Sequence, residues 1–121
     1  MEFTEEQFET YSEEVLALAQ YLDCDPDDIS EEGNDRYSIS SDEYLVCDDA
    51  TADRYWDEEL DMYLDECVYP ELPDNMVQYF DDEKWKRDAR YDGRGHSLSR
   101  YDGCENEERI NGTNYYIFRQ N

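Results

Sequence analysis

The 121 residues carry 35 acidic against 10 basic side chains, a formal net charge of −25, and 15% of them are aromatic. That length suits one domain with one modest core, the charge excludes direct binding to nucleic acid through a phosphate-neutralising surface, and the aromatic content separates the chain from disordered acidic tails. No stretch has the length and apolarity of a membrane span, and the acidic start MEFTEEQFETYSEE lacks the basic-then-apolar order of a secretion signal, so a cytosolic setting is expected.

In chain order, Thr4 followed three residues later by Gln7 fits a capping box. Phe8, Tyr11, Val15, Leu18, Ala19 and Leu22 then recur at steps of three and four, which predicts one helix from about Glu5 to Leu22. CDPDDISEEGND reads as a loop, with Pro26 and Gly33 as breakers. Tyr37–Ile39 and Glu43–Cys47 read as two short strands joined at Ser40-Ser41-Asp42. Asp48 or Asp49 is placed to cap a helix running to about Val68, with Ala52, Trp56, Leu60, Tyr63, Leu64 and Cys67 on its buried side. Pro70 and Pro73 stop it. Asp74 opens a short helix with Met76, Val77 and Phe80, and Asp81 or Asp82 caps another carrying Trp85 and Ala89. His96–Tyr101 reads as a strand between two glycine turns. Asn111-Gly112 is a two-residue hairpin signal, and Thr113–Phe118 is the strongest strand of the sequence. The expected architecture is α+β: one small domain with helices packed on a short antiparallel sheet of three to five strands.

The charge is uneven. Residues 1–83 hold 29 acids and two bases, Arg36 and Arg54, whereas residues 84–121 hold 6 acids and 8 bases. An acidic helical body over about 1–90 is thus joined, without a linker, to a near-neutral, glycine-containing, β-rich part over about 91–121. The four cysteines, Cys24, Cys47, Cys67 and Cys104, form no CxxC pair and read as reduced, apolar packers. Asn111-Gly112-Thr113 matches a glycosylation sequon but reads as a turn. Lys84, Lys86, Arg87 and Arg90 form a short basic cluster suited to pairing with the acidic body.

Three groups of residues invite a functional reading. On the helix from Asp48, Asp53, Asp57, Asp61 and Asp65 follow one another at four-residue steps, each about 6 Å further along the axis, with Glu58 beside them and Asp81 and Asp82 further on. Several such rows approach the charge density of duplex DNA, about one charge per 1.7 Å of axis, and attract proteins that bind nucleic acid. A net charge of −25 also exceeds the roughly 2–8 that keeps a small domain soluble. Second, Asp23, Asp25 and Asp27 have the first spacings of an EF-hand loop, but Asp28 stands where glycine is required and Asn34 where a bidentate glutamate is required, so no dedicated metal site and no cofactor are expected. Third, YDGRGHSLSRYDG (91–103) holds the lone histidine. Asp92, His96, Asp102 and Glu105 would serve a small metal-dependent hydrolase if the segment folded back on itself. The alternative is a turn–strand–turn whose tip, with Arg94 and His96, meets a partner.

EYLVCDDATAD (43–53), DGRGHSLSRYDGCE (92–105) and YYIFRQN (115–121) together resemble a family of small tailed-phage proteins with E-Y-L-V-x-x-D…A-D, then D-G-R-G-H-x-L-x-x-Y-D-G-x-E, then an aromatic strand ending in R-x-N. The resemblance spans about the last two-thirds of the chain. It implies a phage origin and brings no mechanism with it. Residues 57–88 are similar to the closing segment of plasmid and phage antirestriction proteins, elongated acidic mimics of DNA. Neither resemblance implies catalytic residues.

These readings converge on a non-enzymatic phage counter-defence inhibitor in the host cytosol. It would be a DNA mimic of the anti-CRISPR or antirestriction kind, occupying the nucleic-acid site of a CRISPR effector or restriction enzyme. Asp53, Asp57, Glu58, Asp61, Asp65, Asp81 and Asp82 would supply the acid face, and Arg94 and His96 a specific contact. An adaptor binding a host protein through an aromatic surface is the alternative, with the metal-dependent hydrolase behind it. A homodimer, which would double the acidic surface, is left open.

Overall fold

The computed structural model describes residues 2–121. Thr4 and Gln7 form the expected capping box, and helix α1 (Glu5–Thr10) follows. The helix expected to reach Leu22 in one piece is broken. Ser12 takes an extended backbone and its hydroxyl accepts from the Val15 amide at 3.3 Å, starting a second helix, α2 (Glu13–Leu22). A hydroxyl that bonds the backbone locally competes with continued helix. At the break Tyr11 packs, partly buried, against the core, and its hydroxyl donates to Asp27.

The segment expected to be a loop supplies a single 3-10 turn, Pro26–Asp28, and a strand, β1 (Ser30–Gly33), exposed along its whole length. An edge strand with neither face in the core carries no alternation of apolar residues, so its sequence, SEEG, has no strand signature. Strands β2 (Arg36–Ile39) and β3 (Asp42–Asp48) match the expected hairpin. Asp48 caps α3 (Asp49–Tyr63), accepting from the Thr51 amide at 2.8 Å. The helix widens into a π turn over Leu64–Val68 and stops at Pro70, close to the expected end. The helix expected at Asp74 reduces to a 3-10 turn, Val77–Tyr79. Asp81, accepting from the Lys84 amide at 3.1 Å, caps α4 (Asp82–Ala89).

His96–Tyr101 is not a strand. Residues Arg94–Leu98 form a short helix, α5. HSLSRY alternates, but Leu98 is buried with Ala52 of α3, and the place beside β3 belongs to another segment. That segment is β5 (Thr113–Arg119), joined to β4 (Asn106–Ile110) through Asn111-Gly112. Both turn residues have positive φ, 49° and 81°, as a two-residue hairpin of this twist requires.

The result is a small α+β domain: five antiparallel strands in the order β1-β2-β3-β5-β4, with α2 and α3 the longest helices against them. The sheet is covered on both faces. Tyr44, Val46, Tyr115 and Ile117 meet Val15, Leu16, Ala17 and Leu18 of α2. Leu45, Cys47 and Phe118 meet Ala52 of α3 and Leu98 of α5. This explains why YLVC (44–47) and YYIF (115–118) are continuous apolar runs. Cys47 is a buried free thiol, and burial pushes it up to about 12.

Phe118 is fully buried. Phe118→Ala is expected to lower stability by about 3–5 kcal/mol, read from the urea midpoint. Asp48→Ala is expected to cost about 1 kcal/mol at pH 7. Backbone hydrogen bonding holds the Asp48 carboxyl below the ordinary carboxylate range. Its charged contribution is therefore complete above the unfolded value of about 3.9 and is lost as pH falls through the lower folded value. Thermal melts at pH 7 and pH 2.5 should show the gap between the two proteins closing.

Candidate acidic interface

The aspartate row of α3 is built as expected from the four-residue spacing, but the chain's own cations close much of it. Arg94, at the start of α5, donates to Asp49 at 2.8 Å, Asp53 at 3.0 Å and Glu105 at 2.7 Å, and lies over the Tyr116 ring at 4.5 Å. Its side chain is only 10% exposed. One turn further along, Asp57 receives Arg90 at 2.9 Å and Lys86 at 3.1 Å, and Lys86 also pairs with Asp61. Lys86 is buried, and its hydrogen bonds to Asp61 and Asp57 hold its pKa above the ordinary lysine value despite desolvation. Of the basic cluster, Lys86 and Arg90 thus pair with the acidic body, whereas Arg87 faces only its neighbour Asp88 at 3.9 Å and Lys84 has no carboxylate within 4.0 Å among the described residues.

The remaining expected acids are scattered in role. Asp65 lies exposed on the π turn. Glu58 faces Arg54 at 3.9 Å, both mostly exposed. Asp81 is spent on the α4 cap. Asp82 accepts from the Tyr69 hydroxyl, which pushes that phenol up to about 12.

Arg94 is not at a free loop tip. It is turned into the domain and joins α3, α5 and the segment before β4. His96 is exposed on α5. Nor do Asp92, His96, Asp102 and Glu105 converge. Glu105 is held by Arg94; Asp102 accepts from the Ser99 hydroxyl at 2.7 Å and the Cys104 amide at 3.0 Å. These bonds hold the Asp102 carboxyl below its ordinary range. Among the described residues, no group of three His, Cys, Asp or Glu side chains is placed to hold a metal ion.

The second YDG turn packs against the start of α5. A Cβ on Gly95 would lie 2.6 Å from the Gly103 carbonyl oxygen and 2.8 Å from the Glu105 amide nitrogen, both backbone. Glycine at 95 lets that turn close against the helix, beside the Glu105–Arg94 pair.

The surface without internal cations lies elsewhere. Residues 2–35 contain no lysine or arginine. Glu5, Glu6 and Glu9 on α1, Asp25, Asp27 and Asp28 around the 3-10 turn, and Glu31 and Glu32 on β1 are all exposed. None has a cationic side chain within 4.0 Å among the described residues. The Tyr11–Asp27 bond ties the α1–α2 junction to the 3-10 turn. In the sequence this surface is marked by the absence of lysine and arginine over residues 2–35, with no regular spacing of its acids.

Compared with known proteins, the chain matches no family model, no curated sequence and no solved structure. No helix of the described residues is long and apolar enough to cross a membrane.

Gly95→Ala is expected to cost about 1–3 kcal/mol or more, because backbone rather than a flexible side chain must move; urea denaturation measures it. Arg94→Ala removes the only cation bridging Asp49, Asp53 and Glu105 and is expected to cost about 1.5–3 kcal/mol in low salt. Salt screens the repulsion among carboxylates left behind. The deficit against wild type should therefore shrink in melts at 0.5 M relative to 0.02 M sodium chloride.

Proposed function

We propose that this chain is a phage counter-defence inhibitor that acts without catalysis, presenting an acidic surface to the nucleic-acid-binding site of a host enzyme such as a CRISPR effector or restriction enzyme. The observation that carries the reading is the split in the charge. The chain's cations all lie beyond residue 35, and eight of the ten, all but Lys84 and Arg109, pair with a carboxylate within 4.0 Å among the described residues, whereas residues 2–35 have no cation. If the acids served solubility alone, compensated and uncompensated carboxylates would have no reason to separate. Gathered on α1, the 3-10 turn and β1, they produce a one-signed field that accelerates encounter with a basic groove. Of the α3 row, Asp53 and Asp61 are paired with Arg94 and Lys86, and Glu58 faces Arg54, so Asp65, exposed on the π turn, is the member that adds uncompensated charge. The resemblance of the 43–53, 92–105 and 115–121 motifs to small phage proteins supports the setting.

A second reading has its own observation. Met62, Tyr63, Met76, Tyr79, Tyr91 and Tyr101 are exposed, Tyr79 at 75% and Tyr91 at 84%. Such a surface suits an adaptor that binds a host protein through apolar contacts. Salt separates the two, because an electrostatic mimic loses affinity steeply as ionic strength rises and an apolar contact does not.

The test is capture from bacterial host lysate on immobilised protein, with a salt gradient and mass spectrometry, followed by competition with duplex DNA for each captured protein. The expected outcome is a nucleic-acid enzyme released at moderate salt and displaced by DNA. A variant combining Glu5→Gln, Glu6→Gln, Glu9→Gln, Asp27→Asn and Asp28→Asn should lose most of that binding while melting at or above the wild-type temperature. Binding that survives this variant and 1 M salt would overturn the mimic and favour the adaptor.

A further inference from the structure

Four arginines of this chain share one kind of environment, an aromatic ring face, with a carboxylate in reach of each. Arg94 lies 4.5 Å from the Tyr116 centroid and pairs with Asp49, Asp53 and Glu105. Arg119 lies 3.9 Å from the Tyr101 centroid and pairs with Asp42. Arg90 lies 6.0 Å from Trp56 and pairs with Asp57; Arg54 lies 5.1 Å from Tyr55 and faces Glu58. The pairing has a physical basis: the ring quadrupole attracts a cation above its face, and the carboxylate adds a charged hydrogen bond.

One further place has the same composition and no arginine in it. A groove of about 470 Å³ lies between the outer side of α3 and the residues of α4 and α5. Tyr63 and Trp85 stack in its wall, with centroids 5.6 Å apart and planes at 13°, and Tyr63 is 54% exposed. Glu59, Glu66 and Asp92 stand in the lining with Met62 and His96, and no lysine or arginine lines it. Glu59 is reached from outside by Arg100 at 3.7 Å. Glu66 and Asp92 have no cationic partner within 4.0 Å among the described residues. The cavity on the other side of α3 is the opposite case. Arg36, Arg54 and Arg100 line it, and each already faces a glutamate.

We infer that the Tyr63–Trp85 groove receives an arginine side chain of the partner protein, seated against the aromatic pair with its guanidinium toward Glu66 and Asp92. The inference rests on the proposed acidic-inhibitor function and deepens it. The one-signed surface of α1 and β1 provides attraction at a distance, and the groove provides a shaped contact for one residue of a basic nucleic-acid channel. Arginine fits better than lysine, because its flat, weakly hydrated guanidinium stacks on a ring and bonds a carboxylate at the same time.

The probe is a blocked glycine-spaced peptide with three arginines, titrated into the isotopically labelled full chain and followed by NMR, beside the same peptide with citrulline, neutral and nearly isosteric, in place of arginine. The expected result is saturable shifts at the Trp85 indole N–H and at the Tyr63, Glu66 and Asp92 amides with the arginine peptide alone. Glu66→Gln with Asp92→Asn should weaken binding about tenfold, and Tyr63→Leu, at unchanged charge, about fivefold, in line with a cation–π contact beside a charged hydrogen bond. The inference is overturned if the shifts centre on Glu5–Glu14 with Trp85 unmoved, if the citrulline peptide binds equally, or if Tyr63→Leu has no effect. The titration is independent of inhibition. A peptide that ignores Trp85 while the α1 variant loses its enzyme target removes the groove and leaves the acidic mimic. A peptide that seats on Trp85 with no DNA-displaceable target leaves the groove and removes the mimic.

Discussion

Arg94 is the point on which the C-terminal half of this domain turns. It bonds carboxylates from two positions of α3 and one from the approach to β4, and it caps the Tyr116 ring of β5, which lies between β3 and β4. A guanidinium that satisfies three carboxylates at once fixes the angle between α3, α5 and the sheet more tightly than three separate pairs would, because its donors have a rigid geometry. The glycines on either side are consequences of that bond. The turn at Gly93 delivers Arg94 to α3, and the bare backbone of Gly95 lets Glu105 arrive from the other side.

Three stretches, 43–53, 92–105 and 115–121, carry much of the tertiary bonding. Glu43 pairs with Arg36, and Asp48 caps α3. Asp53 and Glu105 hold Arg94; Ser99 bonds Asp102 and the Arg119 carbonyl; Asn121 bonds back to the Glu43 amide and the Ser41 carbonyl. These stretches lie far apart in the chain and meet around the β3–β5 pair. Their polar residues close the fold, which is a structural role and specifies no activity.

Much of the fold was legible in the residues, for identifiable reasons. The β2–β3 hairpin, β5, the Asn111-Gly112 turn, the caps at Thr4, Asp48 and Asp81, and the stop at Pro70 are set by local chemistry or a full apolar run. The misses have different causes. Ser12 caps a new helix through a local bond although the apolar stripe continues through it, β1 is an edge strand with nothing buried, and His96–Tyr101 alternates like a strand while its Leu98 is buried with Ala52 of α3, a tertiary contact that overrides the local pattern. The candidate site divides in the same way. The row on α3 was visible from its spacing, whereas its closure by Lys86, Arg90 and Arg94 depends on hydrogen bonds from cations 29 to 41 residues away in the chain. The Tyr63–Trp85 stack also joins two elements and leaves no trace in either one alone.

The sheet order has a consequence for how the molecule comes to exist. β5 follows β4 in the chain, yet it lies between β3 and β4 and completes both cores. The cations that close the α3 row likewise come after it. During synthesis the chain therefore emerges first as a strongly self-repelling polyanion with three of the five strands, and the last third brings the inner strand β5 together with the cations that pair with the α3 row. Compaction and charge compensation become one late event, and premature collapse of the first half is opposed by its own field.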